Sequence, residues 1–302
     1  MLRQMLRLGM AAGVLVFSGC ENDEPSRPAA PQTLSLSLTG VQPLANGFHY
    51  EGWAMINGSP VATGKFNVNA SGALVTLNGN VIANGDFQTG KDLSGSTAIV
   101  ITIEPSGDTD AVPAATKYLG GNISGASANL TVAHAAALNN TFSTAAGKYV
   151  LATPTDGDGN NEKSGIWFLE LPPPPKQGLQ LPALPAGWAY EGWAVINGTP
   201  VTTGRFTNAA AADLSAPFSG PQGAPPFPGE DFLKNAPAGL TFPTNLSGGA
   251  AVISIEPEPD DSPAPFTLKP LVGSIPANAA DHFTYALDNK ASGFPSGTAT
   301  IK

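Results

Sequence analysis

The chain is 302 residues long, with 14 Lys plus Arg against 23 Asp plus Glu and a net charge of −9. No basic stripe is present to neutralise phosphates, which excludes nucleic acid as a partner, and 42% hydrophobic residues exclude a disordered chain despite 35 Gly and 29 Pro. A single cysteine excludes an internal disulfide framework, so an apolar core must hold the fold together.

Residues 1–19 read as a lipoprotein signal peptide: Arg3 and Arg7 supply positive charge, Leu8 to Phe17 is apolar, and Phe17-Ser18-Gly19-Cys20 forms a cleavage box. The apolar run is shorter than the roughly 20 residues that span a bilayer. Cys20 is therefore expected to carry lipid, and each buried methylene of its acyl chains contributes about 0.8 kcal/mol to membrane attachment. This places the mature chain at the cell envelope, on the periplasmic or surface side, with membrane lipid as its first partner. Glu21 is compatible with outer-membrane sorting in a Gram-negative cell. Residues 20–32, polar and proline-rich, read as a disordered tether.

Strand signals follow. Leu34 to Leu38 alternates with period two, and Tyr50 to Ile56 runs into Asn57-Gly58, a strong hairpin signal, before Val61 to Phe66 returns. Because Pro60 lacks a donor, a four-residue loop over 57–60 is expected, setting Trp53 opposite Gly64 and Met55 opposite Ala62. Trp53 and Met55 share a face, which is the expected core face. Ala98 to Ile103 is a β-branched run ending at Glu104-Pro105. Leu130 to Leu138 is the one candidate short helix. Tyr149 to Leu151 and Ile166 to Leu169 flank an acidic loop at 155–161. Pro172 to Gly178 opens with four prolines and reads as a stiff linker.

Beyond the linker the first half returns. Residues 190–207 match 50–67 at thirteen of eighteen positions, including Glu191, Trp193, Asn197 and Gly198, and Ala250 to Pro257 repeats Ala98 to Pro105. A period this long denotes duplicated domains rather than a solenoid. The expected organisation is all-β: two tandem β-sandwich, immunoglobulin-like domains at 33–171 and 179–302.

The repeated elements resemble the extracytoplasmic C-terminal domain of the anti-sigma-K factor family. Trp53, Gly58, Pro60, Val61, Gly64 and Phe66 fit its first motif, and Thr102, Ile103, Glu104 and Pro105 its second. Copy two carries Trp193, Gly198, Pro200, Val201, Gly204 and Phe206, then Ser254, Ile255, Glu256 and Pro257, with serine in place of threonine. The resemblance covers about 80 residues of each copy and implies a sensing or docking role. The family's cytoplasmic sigma-binding segment and membrane helix are not found here, so no direct sigma-factor contact is expected.

Candidate chemistry is sparse. His49, His134 and His282 have no metal-ligand spacing, and no nucleophile elbow or phosphate loop occurs, so neither catalytic residues, a metal nor a cofactor is expected. Asp156 to Glu162 places oxygens at alternate positions, but its twelfth position is Trp167, and it reads as a solvated hairpin loop. The acidic turns at 107–110 and 256–261 read likewise. Glu104 and Glu256 are positioned to accept backbone donors in the turns that follow, and Glu51 and Glu191 adjoin the tryptophans. These six residues, Glu51, Trp53, Glu104, Glu191, Trp193 and Glu256, are the structural or ligand-contact candidates. The expected function is non-enzymatic binding or sensing of an envelope protein or glycan, with a surface adhesin or carbohydrate-binding lipoprotein as the alternative.

Overall fold

In the computed structural model, residues 31–157 and 159–302 are described; the expected signal peptide, Cys20, most of the tether and Asp158 lie outside them. The first stretch forms β1 (Gln32–Thr39), β2 (His49–Ile56), β3 (Ser59–Val68), β4 (Leu74–Val75), β5 (Asp86–Lys91), β6 (Ser96–Glu104), β7 (Lys117–Ser124) and β8 (Ser127–Thr131). Five strands occupy the middle: β9 (Ala146–Leu151), β10 (Gly165–Trp167), β11 (Leu169–Glu170), β12 (Lys176–Gln177) and β13 (Leu179–Gln180). The last seven are β14 (Trp188–Ile196), β15 (Thr199–Phe206), β16 (Gly229–Asp231), β17 (Ala250–Pro257), β18 (Leu271–Ser274), β19 (Tyr285–Asn289) and β20 (Ser296–Ile301). The fold is all-β and sandwich-like. The helix expected at 130–138 is instead the end of β8 followed by turns, because Leu130 is drawn into the sheet opposite Gly297 of β20.

Two large antiparallel sheets carry the structure. The first runs β4-β3-β2-β6-β7-β8-β20-β1-β5, and the second β15-β14-β17-β18-β19-β9-β10-β16, with β13 also on β9. The first curls until its ends approach, so that Phe66 of β3 meets Phe87 of β5 at 5.5 Å.

The partition differs from the expected 33–171 and 179–302. β9 and β10 precede the proline run yet belong to the second sheet, and β20, from the chain's end, sits between β8 and β1 of the first. The first half thus gives β9 and β10 to the second sheet and the second half gives β20 to the first, with β9 and β20 in matching register: Gly297 of β20 faces Leu130 of β8, and Gly147 of β9 faces Leu287 of β19. One hydrophobic core includes residues of both sheets. Tyr118 stacks on Trp188 at 6.3 Å and meets Phe266 edge-on at 5.6 Å. Nor is the proline run a spacer: Leu169–Glu170 pairs with Lys176–Gln177, so the prolines form the tip of a short excursion from the second sheet.

Hairpin register also departs from expectation. Ile56 pairs with Ser59 and Met55 with Pro60, so the turn is the two-residue Asn57-Gly58, both with positive φ. Pro60 fits because its position does not hydrogen-bond toward β2, and its missing N–H faces the open edge of β3. Trp53 consequently faces Ala62, Gly52 faces Gly64, and Thr63 is the extra residue of a β-bulge. The same bulge recurs between Gly192 and Trp193 in β14.

The tryptophans are buried as expected, but the main apolar cluster lies on the other face. Tyr50 and Ala54 of β2, with Ile99, Ile101 and Ile103 of β6, join the core, and Tyr50 stacks on Phe66 at 5.4 Å. Glu51, Trp53 and Met55 alternate onto the opposite face. Copy two divides in the same way, with Tyr190 and Ala194 in the core and Trp193 outside it.

Candidate functional site

Strand alternation that sends isoleucines into the core sends polar residues to the far side, where they form a lattice across β3, β2 and β6. Lys65, Glu51 and Thr102 lie in one row, and His49 faces Glu104 in the next. Trp53 is buried beside them although it is outside the core, and its indole Nε1–H donates to Thr102 Oγ1 at 2.8 Å. The Thr102 hydroxyl donates in turn to Glu104 Oε1, which also accepts from the Ala114 N–H at 3.0 Å. The loop after β6 folds back over this face, and Lys65 Nζ donates to Asp108 Oδ2 at 2.8 Å while lying 3.6 Å from Glu51 Oε2.

Copy two rebuilds this lattice. Trp193 Nε1–H donates to Ser254 Oγ at 2.7 Å, Ser254 donates to Glu256 Oε1, and the Phe266 N–H donates to the same oxygen at 2.9 Å. Arg205 takes the place of Lys65. Its Nε donates to Glu191 Oε2 at 3.2 Å, and its terminal nitrogens reach Glu258 at 3.1 Å and Asp260 at 3.0 Å. Thr202 also donates to Glu191. A branched guanidinium engages three carboxylates where a lysine ammonium acts as a point charge.

Burial governs the electrostatics. Desolvation pushes the Glu51 carboxyl up to about 7, against the opposing pull of Lys65, and neighbouring Glu104 adds to the rise. Glu191 is raised by burial, with Thr202 and Arg205 working against it. Glu256 reaches about 8, again chiefly through desolvation, and its Oε2 has no hydrogen-bond partner among the described residues. His49 is lowered, first by burial and then by the Lys65 charge.

All six sequence candidates therefore meet in two equivalent clusters, three in each. Lys65 and Arg205, Asp108 and Asp260, and Thr102 and Ser254 complete the clusters but were not singled out as site residues. Their signal was available in the repeat itself, since Lys65 aligns with Arg205 and Asp108 with Asp260 at the same offsets as the motifs. His49 is a different case. Copy two has Ala189 there, and only the register of β2 against β6 brings the imidazole to the acidic loop. Cys20 lies outside the described residues. The loop expected at 155–161 connects the paired strands β9 and β10, with Asn161 donating to Asp156 and the Gly159 N–H to Glu162.

A second concentration of buried acids lies on β16. Asp231 accepts from Trp167 Nε1 at 2.8 Å and from the Thr155 N–H at 2.8 Å, and Glu230 accepts from Ser219. Desolvation raises both carboxyls, Glu230 to about 7.

The surface offers a different feature. Leu171, Pro172 and Pro173 at the tip of the excursion join His282, Phe283 and Thr284 around an open, largely apolar hollow of about 630 Å³. The Leu171 N–H donates to Thr284 Oγ1, tying the two segments together, and Phe283 is 57% exposed with its ring edge-on to Tyr285 at 4.9 Å. No family model, curated protein or solved structure matches this chain.

Proposed function

We propose that the protein is a lipid-anchored, extracytoplasmic binding protein that acts without catalysis, docking a protein partner at the cell envelope. The observation that carries this reading is the apolar hollow around Phe283. An exposed aromatic grouped with proline and leucine around one hollow suits a docking surface, since contiguous apolar patches, unlike a lone exposed side chain, mark interaction sites. Glu104, Glu191 and Glu256, by contrast, accept from internal donors, an arrangement that serves folding. The resemblance of the repeated hairpin and Ile-Glu-Pro strand to anti-sigma-K extracytoplasmic domains supports a role in envelope signalling. Cys20 supplies the membrane attachment in this reading.

A glycan ligand is the second reading, favoured by the exposed Phe283 ring beside His282 and Asp281, which suits stacking on a sugar face. One experiment addresses both. In intact cells, a photo-crosslinking residue replacing Phe283 is expected to give a discrete protease-sensitive adduct, absent when the same group replaces exposed Leu214. A glycosidase-sensitive adduct selects the glycan reading, and no adduct overturns both. Cys20→Ser in the same cells is expected to move the protein out of the membrane fraction.

A further inference from the structure

We propose that His49, Glu51 and Asp108 form a binding site for a divalent transition-metal ion, which displaces the Lys65 ammonium on entry. One potential ligand atom from each of the three residues lies within 4.8 Å of the other two. His49 and Glu51 are 4% and 3% exposed, and both His49 Nε2 and Glu51 Oε2 lack a hydrogen-bond partner among the described residues. Buried polar atoms without partners are uncommon. His49 therefore has a buried ring nitrogen, Nε2, available to a ligand.

The second copy provides an internal comparison. Glu191 and Asp260 correspond to Glu51 and Asp108, but Ala189 replaces His49 and Arg205 replaces Lys65. Arg205 bonds Glu191 and closes on Asp260, so that lattice has its cation built in. Both differences in copy one act in the same direction: an imidazole is added, and the branched cation gives way to a single ammonium that sits 3.6 Å from Glu51. One lysine charge offsets one of two carboxylates, whereas a divalent ion offsets both. The Lys65 side chain is 28% exposed, so it can swing into solvent and admit the ion. One imidazole nitrogen and two carboxylate oxygens suit zinc, manganese or ferrous iron better than calcium, which takes oxygen ligands alone.

The test is zinc titration by calorimetry on the full chain carrying Cys20→Ser, which removes the competing thiol. One equivalent is expected to bind. His49→Ala and the more conservative His49→Gln should each weaken binding at least tenfold, with melting temperatures in chelator that match the parent, while Lys65→Met should tighten it about tenfold. Cobalt(II) in the parent should give a visible absorption band that His49→Gln abolishes. Absence of zinc binding in the parent overturns the proposal, as does equal affinity in a folded His49 variant. Unchanged affinity in Lys65→Met overturns the displacement of the lysine.

Discussion

Glu256 illustrates how a buried acid is tolerated. Its Oε1 accepts from Ser254 and from the Phe266 N–H, while Oε2 has no partner among the described residues, an environment that favours the protonated acid. With its pKa at about 8 in the folded chain, against 4.5 when unperturbed, the folded state retains a proton that the unfolded chain releases. The resulting stability is fully present below the unfolded value and is lost as pH rises through 8. From pH 5 to 8 this one group should cost roughly 2–4 kcal/mol. Glu256→Gln should therefore flatten the fall in melting temperature over that range, and parallel profiles for parent and variant would refute the assignment. The repeated Glu-Pro drew attention to this residue in the sequence, and the turn donor was foreseeable. Its hydroxyl partner was not, because Ser254 is linked to Trp193 only by the pairing of β14 with β17.

At the scale of the element, the hairpin shows both the reach and the limit of local pattern. Asn57-Gly58 and Asn197-Gly198 carried the turn signal, since positive φ at both positions is what a two-residue hairpin demands, yet the proline that follows pointed to a four-residue loop. The bulge at Thr63 was hidden: an extra residue leaves composition and alternation almost unchanged, yet it shifts every later pairing by one. Gly64 beside it has φ +151°, and a Cβ there would lie 2.6 Å from the Phe87 ring. Gly64→Ala is expected to destabilise by about 2–3 kcal/mol, through backbone strain and displacement of Phe87. Chemical denaturation measures this; a loss below about 0.5 kcal/mol, the size of an ordinary surface substitution, would mean the bulge relaxes freely.

At the scale of the molecule, the two copies are one folding unit because their final strands are exchanged. β20 pairs with both β8 and β1, and the Thr33 and Lys302 backbones bond each other, so the last residues complete the sheet that the first described ones begin. The intact chain should unfold in a single calorimetric transition. Truncation after Phe294 should remove that transition by opening two strand edges and uncovering Leu34, Leu36 and Leu130. Survival of a cooperative transition near the parental temperature would show that the exchanged strand is dispensable. Duplication and the all-β class were determined by the sequence alone, because local periodicity and turn chemistry act over a few neighbouring residues. Which face became core, which sheet received β9 and β20, and the meeting of His49 with Asp108 were decided only by tertiary structure. Those outcomes depend on long-range strand pairing and on which apolar faces find each other, and neither leaves a mark within any short stretch of chain.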